Sequence, residues 1–164
     1  MQIRCATPAD AEVIGWHRAR MFQVMGMVPD DLFEAFRAKS AERVRPSLAS
    51  GEYIGWLVPH PEDAGKIIAG AGVILREIPP IPLRRASGET VVYDAGQALI
   101  VNVFTEPEWR RRGIARRLLE QIIAWSREER IESVVLHASE EGRALYQRLG
   151  FRQTSEMRLR SPPE

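Results

Sequence analysis

The sequence has little cysteine, little lysine and no long apolar run. Its 164 residues include a single cysteine, Cys5, which excludes an internal disulfide and a zinc site built from several cysteines. No apolar segment approaches the roughly 18 residues of a membrane span. The first ten residues, MQIRCATPAD, lack the apolar core of a signal peptide. These absences predict a protein of the reducing cytoplasm without a membrane partner.

Net charge is also small. The chain has 23 basic and 22 acidic residues, for a net charge of +1, which argues against a protein that wraps a nucleic-acid backbone. The hydrophobic fraction of 45% and the charged fraction of 27% are typical of a soluble globular domain. We therefore expect one domain over residues 1–164 with no nucleic-acid partner, in which any anion site is local.

Several familiar site motifs are missing. The sequence contains no G-x-G-x-x-G, no G-K-S/T, no H-E-x-x-H and no G-x-S-x-G. Its three histidines are far apart along the chain. We expect no metal site, no dinucleotide or P-loop site and no serine-hydrolase centre. Cys5 lies in an opening strand without an activating pattern, which favours a buried, inert thiol.

The first half of the chain predicts a short strand, two helices and a hairpin. Apolar residues keep helical spacing over residues 7–48, with an interruption at Gly26. Residues 52–58 and 66–76 are rich in β-formers and flank a turn, which indicates a β-hairpin. Residues 77–94 hold three prolines and a Ser-Gly pair, which is typical of a surface connector.

The second half predicts a β-α-β unit. Residues 98–105 form a nearly continuous apolar run, expected for a central strand that is covered on both faces. A helix over residues 112–129 and a strand over residues 131–138 complete a right-handed parallel crossover. Ser139 is a predicted N-cap of a short helix, and residues 151–160 are a predicted last strand. The fold class is α/β with a mixed sheet.

Three adjacent arginines stand where the crossover helix begins. The macrodipole makes that end positive and favours acids there, so Arg110, Arg111 and Arg112 indicate an anion with several oxygens, such as a diphosphate. Gly113 and Ala115 would let its oxygens approach the free backbone N–H groups. Two alternatives are a solvated basic face and a nucleic-acid surface over residues 110–117.

The segment Arg110 to Ala115 resembles the R/Q-x-x-G-x-G/A signature of the GNAT superfamily of N-acetyltransferases. VNVFTEP before it resembles the family's fourth strand, and RALYQRLGF after it resembles the closing region. The resemblance covers residues 97–154. It implies a strongly twisted mixed sheet of about six or seven strands, about four flanking helices and splayed central parallel strands. It also implies an acceptor-side half at residues 1–97 and an acetyl-coenzyme A half at residues 98–160.

The resemblance also implies which residues bind acetyl-coenzyme A. Backbone groups of Val103, Phe104 and Thr105 would meet the pantetheine arm and the acetyl carbonyl, and the loop at residues 111–116 would hold the pyrophosphate. Ser139 stands near a position where many relatives have asparagine. The full implied set is Val103, Phe104, Thr105, Arg110, Arg111, Arg112, Gly113, Ile114, Ala115, Arg116 and Ser139.

Tyr146 falls where the family often has a tyrosine that donates a proton to the departing thiolate of coenzyme A. The alternative is a packing role, because Leu145 and Leu149 form an apolar stripe beside it.

The sequence does not identify the base that would deprotonate the acceptor amine. No acid stands at residues 98–104, where Asn102 is the one polar side chain. His137 is a candidate base or polar contact, with a structural role as the alternative. Three further acids qualify only if their loops reach the acceptor, namely Glu77, Asp94 and Glu106.

The activity implied by the resemblance is N-acetyl transfer. An acetyl group would pass from acetyl-coenzyme A to a primary amine of a small molecule or peptide, directly and without a metal. The helices at residues 7–48 and the connector at residues 77–94 would wall the acceptor site. The alternative is a non-catalytic module that binds or senses acyl-coenzyme A. The sequence leaves the acceptor and homodimerisation open.

Overall fold

The fold is described from a computed structural model, which covers residues 1–94, 96–154, 156–157 and 159. It has four α-helices in this part of the chain: α1 Ala11–Val24, α2 Phe33–Ser50, α3 Ile114–Glu128 and α4 Glu140–Arg148. The strands are β1 Arg4–Cys5, β2 Tyr53–His60, β3 Asp63–Arg76, β4 Ile81–Arg84, β5 Thr90–Tyr93, β6 Gln97–Thr105 and β7 Ser133–Leu136. None of the helices in the described ranges is long and apolar enough to span a bilayer.

The main sheet has five strands in the order β1-β2-β3-β6-β7. Neighbouring strands are antiparallel except for β6 and β7, which are parallel and joined by α3. A separate pair is formed by β4 and β5. The mixed α/β prediction and its strand and helix numbers are confirmed. The expected interior position of β6 is also found, because β6 lies between β3 and β7 and contacts α1 on one face and α3 on the other.

Helices cover both faces of the sheet. On one face, Ile114, Leu118, Leu119 and Ile122 of α3 are at most 2% exposed and pack in the larger core cluster. On the other face, α1 and α2 bury apolar residues against β2 and β3. The core therefore fixes α1 and α2 over one face of the sheet and α3 over the other.

The connector prediction for residues 77–94 was wrong in part, because β4 and β5 form a hairpin there. The Tyr93 hydroxyl donates to the Gly96 carbonyl at 2.8 Å and accepts from the Glu132 N–H at 3.1 Å. Arg85 and Glu132 form an ion pair at 3.2 Å. Since Glu132 directly precedes β7, the hairpin lies at the edge where β6 and β7 begin.

Three smaller expectations need correction. Residues 151–154, 156–157 and 159 form no strand, and the other positions of that predicted strand lie outside the described residues. Cys5 is exposed rather than buried. Helix α3 begins two residues later than expected, because Gly113 is left-handed with φ 75°. The predicted cap of α4 is confirmed, since Ser139 Oγ accepts from the Gly142 N–H at 3.2 Å.

His17 of α1 is buried without a hydrogen bond to Nε2 from the described residues. The ring is 2% exposed and its centroid lies 5.1 Å from that of Phe104. Glu106 Oε1 is 3.8 Å from Nε2, too far for a good hydrogen bond. Burial lowers the pKa of His17 to about 4, so the side chain is neutral inside the folded protein at neutral pH.

Acid should therefore destabilise the fold through His17. The unfolded chain protonates this histidine below pH 6.5, whereas the folded protein does so only near pH 4. Its contribution to the free energy of unfolding is complete above this window and falls by about 3 kcal/mol as the pH drops through it. Urea unfolding across this pH range should show that the free energy of unfolding of His17→Leu decreases less steeply with falling pH than that of the wild type. The control His60→Gln should keep the wild-type slope, and an unchanged slope in His17→Leu would contradict the account.

Candidate active site

A large cleft opens where β6 and β7 separate. Their pairing ends at Ile100 opposite Leu136, whereas β6 continues to Thr105. The space beside this free end of β6 joins a cleft of about 1770 Å³. One wall comes from α1, α2 and the start of β2, and the other comes from the start of α3 and from α4. The splayed parallel strands expected from the sequence are thus present and line one continuous cavity.

A β-bulge marks the floor of the cleft. Gly70 pairs with Phe104 and Gly72 pairs with Val101, so β6 carries one more residue than β3 between these pairs. Asn102 lies in this interval with φ 56°, a left-handed conformation that is costly for most non-glycine residues. A bulge leaves one residue out of the ladder and redirects the backbone beside it. The floor therefore differs from a regular strand at Asn102 and Val103.

Two side-chain hydrogen bonds hold the bulge. Asn102 Nδ2 donates to the Tyr53 hydroxyl at 3.1 Å, and Asn102 Oδ1 accepts from Arg18 Nη1 at 2.6 Å. Burial raises the pKa of Tyr53 to about 12, so the tyrosine stays a neutral acceptor. The sequence signal for this network was one polar residue in an apolar strand. Its partners on α1 and β2 had no sequence signal.

The N-terminus of α3 faces the cleft. Gly113 caps the helix, and the helical hydrogen bonds begin with the Arg117 N–H and the Gly113 carbonyl at 3.1 Å. The first N–H groups of a helix have no partner within the helix, and Gly113, Ile114, Ala115 and Arg116 all line the cleft. Backbone donors and the positive end of the helix therefore face the same part of the cleft, an arrangement that favours an anion.

The arginines before α3 point in different directions. Arg110 lines the cleft, donates from Nε to the Thr105 carbonyl at 3.0 Å and lies 5.8 Å above the Phe104 ring. Arg111 is exposed, lines the cleft and has φ 63°. Arg112 does not line it; this guanidinium stacks 4.7 Å from the Trp109 ring and donates to the Glu108 carbonyl at 3.1 Å. Of the three, two face the cleft.

The other predicted site residues also converge on the cleft. Its lining includes three residues at the end of β6 and three around α4, namely Val103, Phe104, Thr105, His137, Ser139 and Tyr146. His137 is half-exposed, with Nδ1 at 3.6 Å from Glu156 Oε1. Thr105 Oγ1 is buried with no hydrogen bond from the described residues.

Tyr146 is held by its own helix. A Cβ at Gly142 would lie 2.7 Å from Cε2 of the tyrosine, so the ring rests where only glycine leaves room. Phe151 packs edge-on against it, with centroids 6.1 Å apart. Burial raises the pKa of Tyr146, which keeps the hydroxyl protonated at neutral pH. Packing fixes the ring while the residue still lines the cleft, so the two sequence interpretations are compatible.

The acids proposed from loops lie elsewhere. Glu77, Asp94 and Glu106 do not line the cleft, and Glu106 Oε1 accepts from Trp16 Nε1 at 3.3 Å. The β4–β5 hairpin contributes no described residue to the lining, so the wall of the cleft formed by α1 and α2 does not include it. Glu52, Glu140 and Glu141 do line the cleft. Within the described ranges, no group of three or more metal-binding side chains is close enough to hold an ion.

Comparisons with known proteins agree with this geometry. The sequence model of the acetyltransferase (GNAT) domain family matches residues 62–153, which is more than half of the chain. The chain belongs to the GNAT family of acetyltransferases. Membership of this family indicates acyltransferase activity. No curated protein sequence matches the chain.

Solved structures extend the likeness to nearly the whole chain. A GCN5-related N-acetyltransferase from Ralstonia eutropha is 31% identical with a TM-score of 0.81, covering 99% of this chain and 97% of its own. A predicted acetyltransferase with acetyl-CoA from Clostridium acetobutylicum is 25% identical with a TM-score of 0.77, covering 98% and 95%. Glucosamine-6-phosphate N-acetyltransferase from Arabidopsis thaliana shares the fold at 16% identity and a TM-score of 0.64, covering 98% and 97%.

Proposed function

We propose that the protein is an acetyl-coenzyme A dependent N-acetyltransferase that acts on a primary amine of a small molecule or peptide. The observation that supports this most is a single cleft joining three features. These are the free N-terminus of α3, the bulged end of β6 and an acceptor wall from α1 and α2. A GNAT acetyltransferase needs a cofactor arm and an acceptor amine to meet, and one continuous cavity provides that meeting place.

Acetyl-coenzyme A fits the chemistry of the α3 wall. The N–H groups at residues 113–116 and the cation of Arg111 suit the pyrophosphate, with Arg110 beside them. The free end of β6 at residues 103–105 offers backbone groups to the pantetheine arm, since β7 no longer pairs there. Arg112 stabilises the loop through Trp109 and Glu108. Residues 98–160 are therefore the proposed acetyl-coenzyme A half, and residues 1–97 are the proposed acceptor-side half.

The transfer forms a C–N bond at the acetyl carbonyl carbon and breaks the C–S bond. The amine must be neutral to attack, because an alkylammonium has no free electron pair, and it sheds a proton in the process. His137 on the cleft wall is the proposed base or polar contact for that proton. Tyr146 donates its hydroxyl proton to the departing sulfur, and its raised pKa keeps that proton available. Cytoplasmic location and the lack of a nucleic-acid partner remain predictions.

A non-catalytic acyl-coenzyme A binding module is the second candidate. The observation that favours it is the absence of any acid on β6, which leaves that strand without a carboxylate base. Both candidates require cofactor binding, and only the transferase requires turnover. Turnover by the wild type with a panel of amines therefore separates them.

Replacing Tyr146 with phenylalanine should lower kcat and leave cofactor binding intact. The ring and its packing against Gly142 remain, whereas the proton donor is lost, so we expect a decrease of at least about tenfold. Release of coenzyme A with an amine panel measures turnover, and calorimetry measures the Kd of acetyl-coenzyme A. The matched control Tyr93→Phe, in the remote hairpin, should keep full kcat. Full turnover by Tyr146→Phe would exclude the acid role.

Replacing Gly113 with aspartate should abolish cofactor binding. The added carboxylate would stand where the pyrophosphate is proposed to bind, and like charges repel strongly at short range. Calorimetric titration of acetyl-coenzyme A and desulfo-coenzyme A measures the loss. Gly88→Asp is the matched control, because Gly88 also has a positive φ of 87° but lies in the β4–β5 hairpin. Failure of the wild type to bind either ligand would contradict both candidates.

A further inference from the structure

The acceptor wall of the cleft, formed by the lining residues between Arg18 and Tyr53, is positively charged. Three cationic residues line it in the described structure, Arg18 from α1 and Lys39 and Arg43 from α2. Lys39 and Arg43 are one helical turn apart and share a face of α2. The one acidic residue on this wall, within the described ranges, is Glu52. Cations therefore outnumber acids where the acceptor is proposed to bind.

Arg18 is the deepest of these cations. It is half-buried, and its guanidinium carbon lies 4.9 Å from the centroid of the Phe22 ring. No carboxylate of the described residues lies within ion-pair distance of it. A desolvated cation without an anionic partner is costly, and burial lowers the pKa of Arg18 accordingly. Stacking on an aromatic ring offsets part of that cost and fixes the plane of the guanidinium.

Support of the bulge uses only a small part of the hydrogen-bonding capacity of Arg18. Nη1 donates to Asn102 Oδ1 at 2.6 Å, whereas an arginine carries five N–H donors in a rigid fork. We find no protein acceptor for Nε or Nη2 among the described residues. A neutral donor would suffice to hold Asn102. The remaining donors are available to a planar or tetrahedral anion in the cleft, which arginine binds in bidentate fashion.

We propose that the acceptor amine carries an anionic group, a carboxylate or a phosphate, which Arg18 binds while Lys39 and Arg43 attract it from the rim. This inference rests on the proposed N-acetyltransferase function and names the chemical class of its acceptor. The same charges disfavour polycationic amines, because like charges at a binding wall act against the wrong partner. The anion site lies on the α1–α2 wall, opposite the α3 site proposed for the pyrophosphate.

Matched pairs of amines test the preference. Release of coenzyme A is measured with glycine and glycinamide, with phenylalanine and phenylalaninamide, and with phosphoethanolamine and ethanolamine; spermidine serves as a polycation. In at least one pair, kcat/KM should be about tenfold or more higher for the anionic member. The amino-acid pairs and the phosphate pair separate carboxylate from phosphate recognition. The amine of an amino-acid amide is less basic than that of the amino acid, which biases those pairs against the expected result.

The Arg18→Gln variant separates recognition from structural support. Loss of the anion contact should reduce the ratio within the favoured pair to near unity, whereas a purely structural defect would lower both members equally. The control Arg20→Gln, on the same helix but outside the cleft lining, should keep the wild-type ratio. If Arg18→Gln fails to fold, Arg18→Lys should give an intermediate ratio, because it keeps the charge without the fork.

Three results would overturn the inference. Turnover of the neutral members or of spermidine with a kcat/KM equal to that of the anionic members would contradict the charge argument. Arg18→Gln could keep the anionic preference, which places recognition elsewhere. Lack of acetylation of every amine, with acetyl-coenzyme A bound normally, would overturn the transferase proposal and this inference with it. The first two results leave the proposed N-acetyltransferase function intact. Failure of the anionic-acceptor inference is therefore distinguishable from failure of the proposed function.

Discussion

The separation of β6 from β7 is the constraint on which the rest of the site depends. The two strands pair over four positions, from Gln97 opposite Ser133 to Ile100 opposite Leu136, and then part. A free strand edge exposes unsatisfied N–H and C=O groups, which must find partners in water or in a ligand. Parting the strands therefore creates both the cavity and the backbone donors that line it. Helices α3 and α4 follow directly at this opening.

A buried polar network keeps β6 in its bulged shape. Asn102 adopts a left-handed backbone, which asparagine tolerates better than most other non-glycine residues, and Arg18 and Tyr53 bind both ends of its amide. Gly72 on β3 contributes by lacking a side chain, because a Cβ there would overlap the Tyr53 hydroxyl. Strain of this kind persists only where the surroundings enforce it. The network also ties α1 and β2 to the floor of the cleft.

Local signals in the sequence were sufficient to predict the elements that form the α3 wall of the cleft. The apolar stripe of α3, Gly113 before it and Ser139 at the cap of α4 each depend on neighbours within a few residues. The directions of Arg110 and Arg112 could not be predicted, since they depend on Phe104 and Trp109.

Features that depend on contacts between distant parts of the chain could not be predicted from the sequence. The β4–β5 hairpin contains Pro82 and directly follows two further prolines, which argue against a strand, yet it is held in place by contacts of Tyr93 and Arg85 with Glu132. Proline is compatible with an edge strand, which β4 is. The wall of the cleft opposite α3 depends on the packing of α1 and α2 over the sheet, so neither Arg18 nor Glu52 could be assigned to it from periodicity.

The central claim is that one cleft holds acetyl-coenzyme A between the open end of β6 and the start of α3. Amide chemical-shift mapping by NMR during titration with acetyl-coenzyme A tests it most directly, because each backbone N–H reports separately. The account predicts the largest shifts at residues 103–105 and 113–116, with desulfo-coenzyme A reproducing those at 113–116. Shifts confined to other surfaces, or none at saturating ligand, would contradict it.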